Sequence, residues 1–369
     1  MNFDFSDALK QLKDEARRFL SEHCTTRHVR RILDGGSPYD RGMWQAMAGM
    51  GWMGAAIPEE HGGVGLGHEG LCVLAEELGR ALAPVPFSSS VYLATEAILQ
   101  GGDAAMHAAW LPRLAEGTVI GCLAWAEGAG NPTPASISAR LEGGRLTGVK
   151  WPVGDGAVAD FAVVAARDEA GTIRLALADL HAAEVKIETL ASIDPTRNQA
   201  RLTFDRAPVD VLPGDGWAVL QGVLERAAVL VAFEQVGGAA ACLEMAVDYA
   251  RQRFAFGRPI GSFQAIKHKL ADVYIANELA RSNAYYGAWA LSTGAAELGV
   301  AAASARVSAT EAFHLASKEN IQTHGGMGFT WEADCHLFYR RAKLLALGIG
   351  SAAHWKERLV SQLELRNAA

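Results

Sequence analysis

The chain has 369 residues, half of them hydrophobic, with a formal net charge of −7 and a pI near 5.9. That length can bury a large core and divide into two or three subdomains. The acidic balance excludes the basic footprint of a nucleic-acid binder, and charges that are a fifth of the chain and well mixed exclude extended disorder. The N-terminal stretch MNFDFSDALKQLKDEARRFL carries both signs of charge and no apolar h-region, so no secretory signal is expected. No run of about 18 uncharged apolar residues occurs, so no membrane span or membrane partner is expected. The five cysteines, Cys24, Cys72, Cys122, Cys242 and Cys335, are far apart and form no CxxC. They support neither a metal site nor a disulfide framework, and a reducing cytoplasm fits.

Residues 1 to about 115 read as helical. Ser6 is a candidate N-cap for a first helix whose apolar face is Phe5, Leu9, Leu12, Ala16 and Leu20. Met43 to Met53 reads as a second, shorter helix. The loop EEHGGVGLGHEG follows; its Gly62, Gly63, Gly65 and Gly67 match neither GxGxxG after a strand nor a GK[ST] phosphate loop. His68-Glu69 also fails the HExxH zinc pattern, because Cys72 stands where the second histidine belongs. Residues 71–83 are helical again, stopped by Pro84 and Pro86. Residues 91–99 and 105–114 complete the helical part.

From about Gly117 the pattern changes to short apolar runs separated by turn residues: Val119 to Trp125, Phe161 to Ala166, Leu175 to Ala178, Val185 to Leu190 and Ala200 to Phe204. Strands at this spacing predict a small β-domain. From Trp217 helical periodicity returns to the end. Expected boundaries are a helical domain over 1–116, a β-domain over 117–213 and a helical bundle over 214–369.

Within the last part stands YARQRFAFGRPIGSFQAIKH, Tyr249 to His268. Leu224 to Asp248 before it is apolar on most faces and rich in Gly and Ala, the pattern of a buried helix. Phe263, Ile266, Leu270, Val273 and Asn277 after it recur at three- and four-residue steps, the pattern of an amphipathic helix. Gly257, Pro259 and Gly261 break the chain between the two. Arg251, Arg253 and Arg258 gather there with Phe254 and Phe256. A guanidinium fork suits a phosphate and an aromatic plate suits a ring; by residue type alone the turn is either a nucleotide site or a solvated basic turn with two core phenylalanines. A second block, Gln322 to Glu332, reads QTHGGMGFTWE. Adjacent Gly325 and Gly326 after a helix expose backbone N–H groups that accept an anion or admit a ligand; in isolation the same pair also reads as a plain helix end.

The string RxxFGxPIxxFQAxxH, followed in order by QxxGGxGF, resembles the motifs of the acyl-CoA dehydrogenase flavoproteins. The loop IPEEHGGVGL resembles a structural loop of that family, and His336 with Arg340-Arg341 extends the match, so the resemblance covers nearly the whole chain. It implies an α+β fold: an N-terminal helical domain, a middle β-barrel and a C-terminal four-helix bundle. It also implies FAD as cofactor, held at a subunit interface. Carried over, the residues reaching the nucleotide are Arg253, Phe256, Ile260, Gln264, Gln322, Gly325 and Gly326, with Arg253 pairing with the pyrophosphate. The activity implied is α,β-dehydrogenation of an acyl-CoA thioester: a carboxylate removes the α-proton while the β-hydrogen passes as hydride to flavin N5. Electron-transfer flavoprotein is the family's usual acceptor.

Three positions depart from the family pattern. The usual glutamate, a few residues after an RxAK segment, falls on Ile349, which takes no proton. The other known location, in a Leu-Glu-Arg context on the buried helix, is matched by Leu224-Glu225-Arg226. It stands two residues further from Tyr249 than expected, about 200° of helix, which only a local bulge would restore; Glu225 is thus either the base or a carboxylate near the helix start, favoured by the dipole. Glu234 reads as a buried structural group. The two segments that hold the flavin ring in relatives read Ala126-Glu127-Gly128 and Pro152-Val153-Gly154-Asp155 here, and the threonine positions, Ala126 and Gly154, lack a hydroxyl. Residues facing a partner's FAD are kept; those for the chain's own flavin ring and proton abstraction are largely missing. This implies one half of a heteromeric enzyme, resembling the heterotetrameric acyl-CoA dehydrogenases of bacterial steroid side-chain degradation, with a second dehydrogenase-like subunit as partner. The alternatives are a homotetramer using Glu225, or a catalytically silent acyl-CoA-binding scaffold.

Overall fold

The computed structural model describes residues 5–368, which divide into two compact units: 31–67 with 84–227, and 5–30 with 68–83 and 228–368. Among the described residues the α-helices run in chain order: α1 Asp7–His23, α2 Thr26–Leu33, α3 Arg41–Gly49, α4 Gly67–Ala81, α5 Glu96–Gly101, α6 Ala104–Ala115, α7 Gly216–Gln252, α8 Gln264–Thr293, α9 Leu298–His324, α10 Cys335–Leu347 and α11 Ala352–Ala368. The order helices, strands, helices is the one the sequence predicts. Ser6 caps α1, its hydroxyl accepting from the Leu9 amide at 3.3 Å. A π-helical turn, Ser88–Thr95, leads into α5 where one regular helix is expected over 91–99.

The first unit carries the strands β1 Gly121–Ala124, β2 Arg140–Glu142, β3 Arg145–Gly154, β4 Phe161–Asp168, β5 Ile173–Asp179, β6 Val185–Leu190 and β7 Gln199–Val211. Pairing runs β4–β2–β3–β7–β5, and β5 returns to β4, which closes the sheet into a barrel. β1 continues the β2 edge of β4, and β6 lies along β7. Sequence periodicity finds five of these strands. β2 and β3 escape it because β3 alternates weakly and carries Gly148 and Pro152 at its register shifts. The glycine-rich loop over 59–67 turns inward: the Val64 amide bonds Gly54 O at 3.1 Å and the Gly67 amide bonds Ala55 O at 2.9 Å. A Cβ on Gly63 would lie 1.7 Å from Ile57 O, so this glycine serves close main-chain packing.

The second unit is built on α7 beyond residue 228, α8, α9, α10 and α11. α7 contains an apolar window long enough to cross a membrane by length and composition, but 78% of that window is buried, which is the reason for its apolar composition. Its small residues admit neighbours. A Cβ on Gly237 would lie 1.9 Å from Glu76 O of α4, and one on Gly238 would lie 2.5 Å from the Phe313 ring of α9. Buried charges are paired or hydrogen-bonded, as burial demands. Arg306 of α9 donates to Gln235 Oε1 and Thr310 Oγ1, each at 2.6 Å, and to the Leu345 carbonyl. Glu234 is buried and lies 3.6 Å from Arg341, the structural role expected of it.

Candidate functional site

Arg253 follows the last residue of α7 and leads into a two-stranded hairpin, β8 Phe254–Ala255 and β9 Arg258–Pro259. The sequence predicts a break here, and the structure shows its form. Phe256 and Gly257 are the two turn residues, both left-handed at φ 52° and 78°. That is the geometry whose twist suits a two-residue hairpin, and Asn-Gly is its usual sequence. Phenylalanine at the first position is strained by roughly 1 kcal/mol or more. The ring gains no burial in return: Phe256 is 94% exposed and Phe254 62%. Neither is a core phenylalanine, so that reading of the turn fails.

The three arginines of this break part company. Arg258 lies over the Phe263 ring at 4.1 Å, and Arg251 is 3.9 Å from Asp248 on an exposed face. Of the three, Arg253 alone lines a cavity of about 490 Å³, together with Tyr249, Ile260, Thr323, His324, Gly325, Gly326 and Met327. Two blocks some seventy residues apart in sequence thus share one wall. Main-chain bonds set the geometry: the Arg253 amide donates to Tyr249 O and the Ile260 amide to Arg253 O, both at 2.8 Å. Gly325 is left-handed at φ 60°, and a Cβ on Gly325 or Gly326 would meet no atom within 4 Å. Their faces are open, so a ligand can lie against the backbone. The volume falls in the range of small-molecule sites.

Of the residues carried over from the sequence, Arg253, Ile260, Gly325 and Gly326 line the cavity, whereas Phe256, Gln264 and Gln322 are exposed outside its lining. Sequence reasoning passed over Tyr249 and His324, although both stand inside the two blocks. Their rings stack at 4.2 Å between centroids and 27°, a pairing across helices that no single-stretch pattern contains.

Glu225 is half-buried on α7, in the first unit, and is not in the cavity lining. α7 is α-helical without interruption from Gly216 to Gln252, so no bulge resets the phase of Glu225. Ile349 is 4% exposed, and its carbonyl accepts from Trp355 Nε1 at 3.1 Å. Between Lys343 and His354 the sequence has no carboxylate.

The segments expected around a flavin ring hold other things. Glu127 accepts from Lys150 Nζ at 2.6 Å and from the amides of Ser138 and Ala139 at 2.8 and 3.0 Å. Although burial opposes its charge, the bonds from Lys150, Ser138 and Ala139 keep this carboxyl below its usual range. Asp155, left-handed at φ 55°, is buried with Arg197 at 2.6 Å. Ser89 donates to the same carboxylate at 2.6 Å, and Arg197 reaches Ser88 Oγ at 2.5 Å. Sequence reasoning did not find this network; its members lie far apart in the chain and carry no spacing signal.

Residues 6–118 match the family model described as acyl-CoA dehydrogenase, N-terminal domain, and residues 214–362 match that of the acyl-CoA dehydrogenase C-terminal domain. The chain is 32% identical to the acyl-CoA dehydrogenase IpdE2 of Mycobacterium tuberculosis, over 96% of each protein. It superposes on a chain of a variant of the Tcur3481-Tcur3483 steroid ACAD with a TM-score of 0.89 at 31% identity, covering 98% of this chain and 99% of that one. A chain of the ChsE4-ChsE5 complex from Mycobacterium tuberculosis gives a TM-score of 0.90 at 28% identity, covering 99% of each.

Proposed function

Because the chain belongs to the acyl-CoA dehydrogenase family of FAD-dependent oxidoreductases, we propose that it is one subunit of a heteromeric acyl-CoA dehydrogenase and completes an FAD site whose base and ring contacts come from a different, dehydrogenase-like subunit. The observation that carries this reading is a contrast. Arg253, Gly325 and Gly326 line one open cavity, while the position of the usual base is the buried Ile349.

The cavity residues fit the nucleotide half of FAD. Arg253 is a permanent cation with a planar fork suited to a pyrophosphate, and the two glycines leave open space where a side chain would stand. Phe256, held exposed against strain, offers an aromatic plate to whatever covers the hairpin. When bound, FAD supplies the acceptor for the hydride lost from the acyl β-carbon. In this chain the residues hold and orient; an isoleucine at 349 moves no proton. Glu127 and Asp155, near the ring segments, are committed to Lys150 and Arg197, which supports the view that they are not free to act as bases. The substrate is an acyl-CoA thioester, and the steroid ACAD neighbour supports a bulky acyl group. Electron-transfer flavoprotein is the acceptor we propose.

The test is flavin content and turnover of the chain purified alone and then with a dehydrogenase-like partner. Colourless, inactive protein that gains about half a flavin per subunit and activity with the partner is the expected result. A full flavin per subunit with turnover alone would sink the heteromer and return the reading to a homotetramer using Glu225.

A further inference from the structure

We propose, resting on the nucleotide reading above, that His324 is a specificity-determining residue of the cavity: its Nε2 accepts a hydrogen bond from a ribose hydroxyl of the nucleotide whose phosphates Arg253 holds. His324 Nδ1 lies 2.8 Å from the Asn320 carbonyl. A carbonyl only accepts, so Nδ1 carries the proton, and Nε2 is the acceptor of the neutral ring. The ring is held twice more. Its face stacks on Tyr249, and its Cβ packs so near Gly328 that a methyl there would lie 2.8 Å away. Arg253 stands just past the end of α7, its amide bonded to the Tyr249 carbonyl at 2.8 Å, and both residues line the cavity, so the stack and the cation border the same space.

The two polar groups are chemically divided. A neutral Nε2 has a lone pair and repels phosphate oxygens, which also only accept. A hydroxyl donates to it readily. Arg253 has donors and no lone pair, so it takes the anion. The cavity therefore distinguishes a phosphorylated nucleoside from an anion of equal charge without a sugar, and a riboside from its deoxy analogue.

The experiment is calorimetric titration of the flavin-free assembled enzyme at pH 8 with ADP, 2′-deoxy-ADP and 3′-deoxy-ADP. The expected result is saturable ADP binding, weakened about three- to tenfold when one of the two hydroxyls is absent, the effect of one neutral hydrogen bond. His324→Phe keeps the stack, weakens ADP by the same factor and binds all three ligands alike. His324→Gln, whose terminal oxygen can accept in place of Nε2, restores the discrimination, and each variant's thermal unfolding shows that it is folded. Discrimination in His324→Phe equal to the native chain's, with or without a lower melting temperature, overturns the proposal and leaves His324 a helix-end residue. Binding weakened by Arg253→Ala but indifferent to the sugar hydroxyls overturns it while sparing the nucleotide reading. No saturable ADP binding at all overturns both.

Discussion

Gly79 of α4 and Glu234 of α7 meet main chain to main chain, so close that a Cβ on Gly79 would lie 1.9 Å from the Glu234 carbonyl oxygen. Gly237 makes the reciprocal approach to Glu76 O, also at 1.9 Å. The pair of contacts sets the distance between the two helices. Gly79→Ala or Gly237→Ala is expected to force them apart and to cost about 2–4 kcal/mol, at or above the upper end of ordinary overpacking, read as a fall in the denaturation midpoint. Gly294→Ala, at a left-handed helix end with open space around it, is the comparison: its cost is backbone strain alone, about 1 kcal/mol.

Arg253→Ala is expected to leave the melting temperature within about a degree or two, because the side chain is exposed and surface truncations of this kind change stability little, and to abolish flavin retention in the assembled enzyme. Arg253→Lys keeps the charge but not the fork and recovers only part of it. Equal flavin content in the native protein and Arg253→Ala refutes the assignment.

Phe256→Asn separates stability from function. Asparagine tolerates the left-handed turn position that phenylalanine occupies under strain, so the variant is expected to gain about 0.5–1 kcal/mol. Flavin binding in the complex should fall with loss of the aromatic plate. A variant that is more stable and equally able to hold flavin would show that Phe256 has no part in the site.

Glu225→Gln in the assembled heteromer is expected to leave turnover within about twofold, since Glu225 keeps an unshifted helical phase on α7. A loss beyond about a hundredfold, the scale of a removed general base, would make Glu225 the base after all.

Acid should loosen α1. The Glu76 carboxylate is buried, with Lys13 of α1 at 2.6 Å and Arg281 of α8 also bonded to it. Burial raises its pKa, but Arg281 and Lys13 outweigh burial and hold it below the usual carboxylate value. A depressed folded pKa means that the stabilisation is present above the unfolded value, about 4.3, and is lost as pH falls through the folded value. Melting temperature measured from pH 7 downward should therefore drop more steeply for the native chain than for Glu76→Gln, which is less stable at pH 7 and has no such carboxylate to protonate. Parallel curves would exclude Glu76 as a contributor.

The sequence by itself determined the order of helices, strands and helices, because apolar period changes from 3.6 to 2 and back at Gly117 and Trp217. It also singled out the blocks that hold Arg253, Gly325 and Gly326, since they belong to strings long enough to be specific, and it showed that no acidic side chain follows Lys343 before His354. Only the tertiary structure decided that Arg253, and not Arg251 or Arg258, faces the cavity, that Phe256 is exposed in a strained turn, and that Tyr249 stacks on His324. The same holds for Asp155 with Arg197 and for Arg306 with Gln235. Periodicity reports what a residue does within its own helix or strand. These pairings join residues some forty to seventy-five positions apart, and which partners meet is set by how close the main chains come, which no local pattern encodes.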